Sequence, residues 1–209
     1  MANNNLAVYV ALDRSGSMSG ERWTHAINSI NEYVNGLKKE KIEGTITIVA
    51  FDAELNNSMR LVNLVTNQSI AYYEDLKQDV VQPSGMTPLF DAAANVMDRA
   101  ITNNAERTVV VIMTDGEENA SKEYNQKKIK DKVETLTARK WEVLFLGANF
   151  DVSQYTSASG LAQTKMRNVD MNNFAQRTAM YTDLTTSTAA YAKSGAAINL
   201  AVDVNVKAK

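Results

Sequence analysis

The sequence predicts an α/β fold with a doubly wound, mostly parallel central sheet that is flanked by helices. Two patterns predict it: short apolar runs typical of buried strands alternate with segments whose apolar residues recur every three or four positions. Composition supports this prediction, because hydrophobic residues make up 44% of the 209 residues, enough for a sizeable core. A single domain of alternating strands and helices is therefore expected.

The first part of the chain predicts three strands. Residues 6–12 form a nearly all-apolar run, typical of a central strand that is covered on both faces. A helix is predicted over residues 20–39, and strands over residues 45–51 and 60–65 are expected to pair antiparallel. Residues 70–77 are expected to add a short helix.

The second part continues the alternation. It predicts a helix over residues 89–102, a buried strand over 109–113, a helix over 122–139 and a strand over 141–146. These four elements add two further strands to the sheet and two helices to its faces.

A short helix near residues 152–158 and a strand near 164–169 are expected to complete the doubly wound pattern. The last predicted helix covers residues 170–192 and has a thinner, more polar stripe than the others, which predicts weaker docking. That stripe consists of Phe174, Tyr181, Leu184, Thr188 and Tyr191.

The end of the chain has a different pattern. Apolar residues occupy alternate positions from Ile198 to Val206, the period of a strand with one buried face. The expected organisation is a domain over residues 1–194, followed by an amphipathic strand or tail over residues 195–209. The strand would pack either at the edge of the chain's own sheet or on a neighbouring subunit. We favour the first alternative, and a monomer over a homo-oligomer, because no other segment indicates an obligate oligomer.

Composition and charge exclude several classes of function. The chain has no cysteine, which rules out a disulfide framework, a zinc ribbon, an iron–sulfur site and a thiol nucleophile. It carries 22 basic and 24 acidic residues without a charged block, so neither nucleic acid nor a membrane surface is expected as a partner. The N-terminal apolar run is short and lacks the flanks of a signal peptide, so a cytoplasmic protein is expected.

Three polar clusters lie next to the predicted strands and helices. Asp13-Arg14-Ser15-Gly16-Ser17 follows the first strand, Gly85-Met86-Thr87-Pro88 opens a helix, and Thr114-Asp115-Gly116-Glu117 follows the fourth strand. Loops beyond the carboxyl ends of parallel strands converge on one crevice. The three clusters are therefore expected to meet.

The converging side chains offer only oxygen ligands, namely the carboxylates of Asp13 and Asp115 and the hydroxyls of Ser15, Ser17 and Thr87. All-oxygen ligation suits a hard cation such as Mg²⁺, Mn²⁺ or Ca²⁺. We therefore predict one divalent metal ion at this place. The alternative is that Asp13 and Ser15 simply cap the first helix.

In this order, the three clusters resemble the metal-ion-dependent adhesion site of von Willebrand factor A domains. Asp13-Arg14-Ser15-Gly16-Ser17 is similar to the family's Asp-x-Ser-x-Ser signature. Thr87 and Asp115 fall where the family carries its metal-binding threonine and its last aspartate. The resemblance spans roughly residues 6–191, and all elements of the site are present.

The resemblance implies how such a site works. Ser15, Ser17 and Thr87 would reach the ion directly, whereas Asp13 and Asp115 would bind it directly or through water. An Asp or Glu carboxylate from a protein partner would complete the octahedron. The cofactor expected from the resemblance is Mg²⁺, with Mn²⁺ or Ca²⁺ as alternatives.

The expected function is a divalent-metal-dependent protein-binding module and not an enzyme. One alternative is a metal-assisted hydrolase, although the clusters lack an evident general base. Another is a structural or assembly subunit that uses its C-terminal strand. The stretch Phe145-Leu146-Gly147-Ala148-Asn149 with Asp151 also resembles stand-alone bacterial and phage members of the family.

Other acidic residues near the clusters are expected to be solvated. Glu117, Glu118 and Glu123 are interpreted as an exposed helix entrance, where acidic side chains favour the helix dipole. Asp91 and Asp98 are expected at exposed positions of their helix.

Overall fold

The computed structural model describes residues 6–116, 118–148, 165–170 and 173–200. Within them, six strands form one sheet in the order β3-β2-β1-β4-β5-β6. The strands are β1 (Leu6–Asp13), β2 (Gly44–Ala53), β3 (Met59–Ser69), β4 (Arg107–Thr114), β5 (Glu142–Ala148) and β6 (Met166–Val169). The helices in the described part are α1 (Glu21–Lys39), α2 (Leu89–Asn103), α3 (Gln126–Ala138) and α4 (Phe174–Ser194).

The sheet is parallel except at one edge, where β2 and β3 pair antiparallel. This arrangement confirms the predicted fold class. It also places the carboxyl ends of β1 and β4 side by side, with Leu12 opposite Met113 in the register. The loops that follow these two strands therefore start next to each other.

Two hydrophobic layers enclose the sheet. The layer that contains α1 and α4 takes Val8, Val10 and Leu12 from β1, and the layer that contains α2 and α3 takes the alternate residues of that strand. Both faces of β1 are thus buried, which explains why its sequence is apolar throughout instead of alternating. None of the described helices is long and apolar enough to cross a membrane.

The expected helix over residues 70–77 is wrong. Only Ile70–Tyr72 form a short 3-10 turn, and the following residues have no regular structure. The side chain of Asn31 on α1 accepts a hydrogen bond from the backbone N–H of Leu76 (2.9 Å) and donates one to its carbonyl (3.0 Å). These groups are satisfied without a helix, so the segment is held against α1 by Asn31.

Helix α3 begins later than the predicted residue 122, and Asp91 is the reason. The carboxylate of Asp91 accepts hydrogen bonds from the backbone N–H groups of Lys122 (2.8 Å), Glu123 (3.1 Å) and Tyr124 (2.7 Å). Asp91 is therefore buried, and its predicted exposure is wrong. The helix starts after Asn125, whose side chain caps it by accepting from the N–H of Lys128.

The last helix, α4, packs on α1 more closely than its polar stripe predicted. A Cβ atom on Gly36 of α1 would lie only 2.6 Å from the Cγ2 atom of Thr185, so glycine permits this close contact. The hydroxyls of Tyr33 and Thr188 form a buried hydrogen bond (3.1 Å) across the same interface. Phe174 does not belong to the buried stripe, since it is 70% exposed.

The C-terminal segment is described up to Leu200. Ile198 and Leu200 are buried in the core layer of α1 and α4, but residues 195–200 form no strand. The N–H of Ile198 donates to Glu142 of β5 (3.2 Å), and Lys165 contacts both the Glu142 carboxylate and the Ile198 carbonyl. The remainder of the predicted strand lies outside the described residues, as does the predicted helix near 152–158.

Candidate metal centre

Asp13 ends β1 with its side chain fully buried between two loops. One carboxylate oxygen accepts a hydrogen bond from the N–H of Ser15 (2.7 Å), and the other accepts one from the hydroxyl of Thr114 at the end of β4 (2.6 Å). The residue before α1 is Gly20, which makes no side-chain cap. Asp13 and Ser15 therefore do not cap the first helix, and that alternative is wrong.

Three hydroxyls and the second carboxylate surround the same point. The hydroxyls of Ser15 and Ser17 are hydrogen-bonded to each other (3.0 Å), and that of Ser17 donates to Asp115 (2.7 Å). A Cβ atom built on Gly116 would lie 3.5 Å from the Thr87 hydroxyl and 3.6 Å from the Ser17 hydroxyl, so both face this glycine. The structure thus brings together all five side chains that the sequence singled out.

Thr87 is positioned by the loop that precedes α2. Met86 and Ala53 of β2 exchange two backbone hydrogen bonds (2.8 and 2.9 Å), and Gly16 donates its N–H to the carbonyl of Gly85 (3.0 Å). Gly85 has a φ of +74°, and a Cβ atom there would lie 2.1 Å from the Ala53 carbonyl oxygen. Glycine is therefore needed at this position, where the loop lies against the end of β2.

Residues 7–203 match the family model described as the von Willebrand factor type A domain. The chain belongs to this family. The family predicted from the three polar clusters is therefore confirmed, whereas metal binding by these residues stays a prediction. A comparison with curated proteins finds no significant match.

Solved structures with a similar fold include a protein named as a pilus adhesin, a domain named as a vWF domain and a protein named as manganese-loaded. They are the pilus adhesin SpaC from Lactobacillus rhamnosus GG (9% identity, TM-score 0.70), the vWF domain of the type V pili tip protein Mfa5 from Porphyromonas gingivalis (10%, 0.65) and the manganese-loaded TRAP protein from Plasmodium vivax (15%, 0.52).

These three structures cover 90%, 88% and 82% of the present chain, which spans 31%, 95% and 71% of theirs, respectively. Several similar structures belong to longer proteins, since the chain spans 30–48% of the length of four of them. At such low identities the comparisons show that the von Willebrand factor A fold is shared.

In this von Willebrand factor A domain, the variable residue of the Asp-x-Ser-x-Ser motif is Arg14, whose side chain hydrogen-bonds to β2 and to none of the proposed ligands. Arg14 points away from the hydroxyls and donates to the carboxylate of Asp52 on β2 (2.8 Å). Asp52 is fully buried and also accepts hydrogen bonds from Arg60 on β3 (Nε, 3.0 Å) and from the Ser84 hydroxyl (3.0 Å). This network connects the motif to β2, to β3 and to the loop that precedes α2.

Glu118 organises the loop between β4 and α3. Its carboxylate accepts from the backbone N–H groups of Ala120 (2.9 Å) and Ser121 (2.7 Å), and from that of Phe90 in the first turn of α2 (2.9 Å). The prediction of a solvated Glu118 is therefore wrong. Glu123 is exposed as predicted, and Glu117 lies outside the described residues.

The two aspartates of the site differ in their electrostatic surroundings. Burial raises the pKa of Asp13 to about 6, against the lowering effect of the hydrogen bonds from Thr114 and Ser15, and the nearby Asp115 raises it further. Asp115 has a buried side chain and forms an ion pair with Arg22 of α1 (2.8 Å). One aspartate thus carries an unfavourable buried charge, while the other has a cationic partner.

The donor set at this site fits a hard divalent cation. Among the described residues, no group of three or more His, Cys, Asp or Glu side chains is placed to hold a metal ion. Any ion at this site would therefore need the hydroxyls of Ser15, Ser17 and Thr87 in addition to the two carboxylates. Such neutral and anionic oxygens are the ligands that Mg²⁺, Mn²⁺ and Ca²⁺ prefer.

Sequence reasoning missed the residues that hold these ligands in place. Asp52 had a detectable signal, because a carboxylate that directly follows an apolar strand is a candidate for a buried ion pair. Asn119 and Glu118 had none, since each acts through hydrogen bonds to backbone groups of a distant loop.

Proposed function

We propose that this chain is a divalent-metal-dependent protein-binding module that accepts a carboxylate from its partner. The proposed ligands are the five oxygen-bearing side chains of the site: Asp13, Ser15, Ser17, Thr87 and Asp115. The observation that carries the proposal is their convergence at the carboxyl ends of β1 and β4, with the Ser17 hydroxyl bonded to both Ser15 and Asp115.

The mixture of ligands explains why a partner carboxylate is expected. Mg²⁺ demands octahedral geometry, and three of the five proposed ligands are neutral hydroxyls. When bound, the ion supplies an electrophilic position that an outside carboxylate oxygen can occupy. The chain's own contribution is to orient the hydroxyls, to bury Asp13 and to hold Thr87 against the site through the Gly85 loop.

The comparisons support a binding role over a catalytic one. Von Willebrand factor A domains are mainly adhesion and protein-interaction modules, and the similar structures include a pilus adhesin and a pilus tip protein. One of them is a manganese-loaded protein, which supports Mn²⁺ as a test ion beside Mg²⁺.

Calorimetric titration with Mg²⁺ and with Mn²⁺ tests the metal site. The wild-type protein should bind about one ion, and Thr87→Ala should weaken binding strongly because it removes a proposed direct ligand. Thr182→Ala is the matched control, since Thr182 is an exposed threonine on α4 that bonds only within its helix. Equal affinity in Thr87→Ala and Thr182→Ala would contradict the proposed ligand set.

Capture of a partner tests the binding role. Wild-type protein immobilised in Mg²⁺ should retain proteins that are lost both in chelator and with Asp13→Ala. Substitution of single Asp and Glu residues of a captured partner should then identify one carboxylate whose loss abolishes binding. A partner held with full affinity in chelator would show that binding does not use the metal.

A further inference from the structure

An arginine forms an ion pair with one of the proposed metal ligands. Arg22, in the first turn of α1, donates from Nη1 to one carboxylate oxygen of Asp115 (2.8 Å) and to the carbonyl of Ser17 (3.2 Å). The other oxygen of Asp115 accepts the hydrogen bond of the Ser17 hydroxyl. The Asp115 carboxylate thus bonds both to Ser17, another proposed metal ligand, and to the guanidinium of Arg22.

The two partners of this ion pair differ in exposure. The Asp115 side chain is fully buried, whereas that of Arg22 is 43% exposed. Asp115 therefore depends on its partner, because an unpaired carboxylate in a buried place is unfavourable. Arg22 can leave towards solvent, since nearly half of its side chain already contacts water.

The location of Arg22 on its helix also favours release. A cation in the first turn of a helix faces the positive end of the helix dipole, which is unfavourable. The contact with Asp115 and the Ser17 carbonyl offsets this repulsion. Any other cation that satisfied Asp115 would remove the main reason for Arg22 to stay.

We infer that Arg22 is a built-in counter-cation that neutralises Asp115 in the metal-free domain and competes with the divalent ion for that carboxylate. The inference rests on the proposed metal site and adds the residue that sets its affinity. It implies that Arg22 turns away or shifts when the ion binds, so that metal loading changes the surface next to α1.

The test compares Arg22→Gln with Lys39→Gln in titrations with Mn²⁺ and Mg²⁺ and in thermal unfolding. Both substitutions remove one positive charge from α1, but Lys39 is exposed and lies at the other end of the helix, about 25 Å away. That separation exceeds the screening length of about 10 Å at moderate salt. Arg22→Lys, which keeps the charge, serves as a second variant.

Arg22→Gln should bind the ion about tenfold more tightly than the wild type, because a neighbouring cation no longer opposes it. In chelator it should melt at a lower temperature than the wild type, and saturating metal should remove most of that difference. Lys39→Gln should match the wild type in metal affinity. Because Lys39 lies in the last turn of α1, where a cation is favourable, its loss should lower the melting temperature slightly, by the same amount with and without metal. Arg22→Lys should stay closer to the wild type than Arg22→Gln does.

Two results would overturn the inference. Unchanged metal affinity in Arg22→Gln would show that the guanidinium does not compete with the ion. Weaker affinity would show instead that Arg22 orients Asp115 for the metal. Failure of the proposed function would look different, because neither the wild type nor Lys39→Gln would then bind an ion.

Discussion

Asn119 holds Thr87 from both sides. Its side-chain oxygen accepts the backbone N–H of Thr87 (2.8 Å), and its own backbone N–H donates to the Thr87 carbonyl (3.1 Å). These two bonds join the loop after β4 to the loop before α2. The proposed metal ligand from the second polar cluster is therefore positioned by the loop that follows the third cluster.

Asn119→Ala should weaken metal binding although Asn119 is not a proposed ligand. The substitution removes the side-chain acceptor of the Thr87 N–H, so the Thr87 hydroxyl loses part of its orientation, and stability should fall by about 1 kcal/mol. Calorimetric titration with Mg²⁺ and urea unfolding measure the two effects. Asn119→Asp keeps an acceptor oxygen and should bind the ion better than Asn119→Ala. Equal metal affinity in the two variants would argue against a positioning role.

Asp52→Ala should destabilise the domain severely. Asp52 is fully buried and pairs with Arg14, which is itself buried, and with Arg60. Loss of the carboxylate leaves a buried guanidinium without its partner, for which a loss of about 3–5 kcal/mol is expected in urea unfolding.

Glu54→Ala is the control for Asp52→Ala. Glu54 is half-exposed and pairs with the same Arg60 at 3.7 Å, so its removal should change stability by less than about 1 kcal/mol. Similar losses of stability in both variants would mean that burial does not make the ion pairs of Asp52 more stabilising than the exposed pair of Glu54.

Asp13 should give the metal-free protein a pH-dependent stability. Burial raises the pKa of Asp13 from 3.8 to about 6 in the folded state, so between these values the folded protein keeps a proton that the unfolded chain has lost. Retention of this proton stabilises the folded state. The contribution is fully present below pH 3.8 and is lost as the pH rises through about 6. The loss is on the order of 3 kcal/mol.

Urea unfolding in chelator across this pH range measures the effect of Asp13. Asp13→Asn should abolish this component, whereas Asp98→Asn should keep it, because Asp98 is a half-exposed carboxylate on α2. If the free energies of unfolding of the wild type and Asp13→Asn change with pH in the same way over the whole range, ionisation of the buried Asp13 does not destabilise the folded protein.

The sequence predictions were accurate where neighbouring residues carry the pattern, and they failed where contacts with residues far away in the sequence decide the structure. Leu6–Asp13 was recognisable as a central strand because a strand buried on both faces is apolar at every position. The five proposed ligands were found because each lies directly beside the end of a strand or the start of a helix. The helix expected over residues 70–77 failed because Asn31, far away in sequence, bonds the backbone of Leu76. The burial of Asp91 escaped prediction for the same reason, since its three donors lie in a different loop.

Gly85→Ala should lower both the stability of the domain and its metal affinity. Gly20→Ala is the control that separates backbone strain from the steric clash. The two glycines both have a positive φ, +74° and +77°, so an alanine strains the backbone at either position. They differ in space: a Cβ atom on Gly85 would lie 2.1 Å from the Ala53 carbonyl oxygen, whereas nothing lies within 4 Å of one on Gly20.

Only Gly85→Ala should therefore push its loop off the end of β2. That displacement breaks the bonds between Met86 and Ala53 and the bond from Gly16 to Gly85, on which the approach of Thr87 to Ser17 depends. Metal affinity, measured by titration with Mn²⁺, should fall strongly in Gly85→Ala and stay near the wild-type value in Gly20→Ala. Equal losses of stability with unchanged metal affinity in both variants would show that the contact of Gly85 with β2 does not position Thr87.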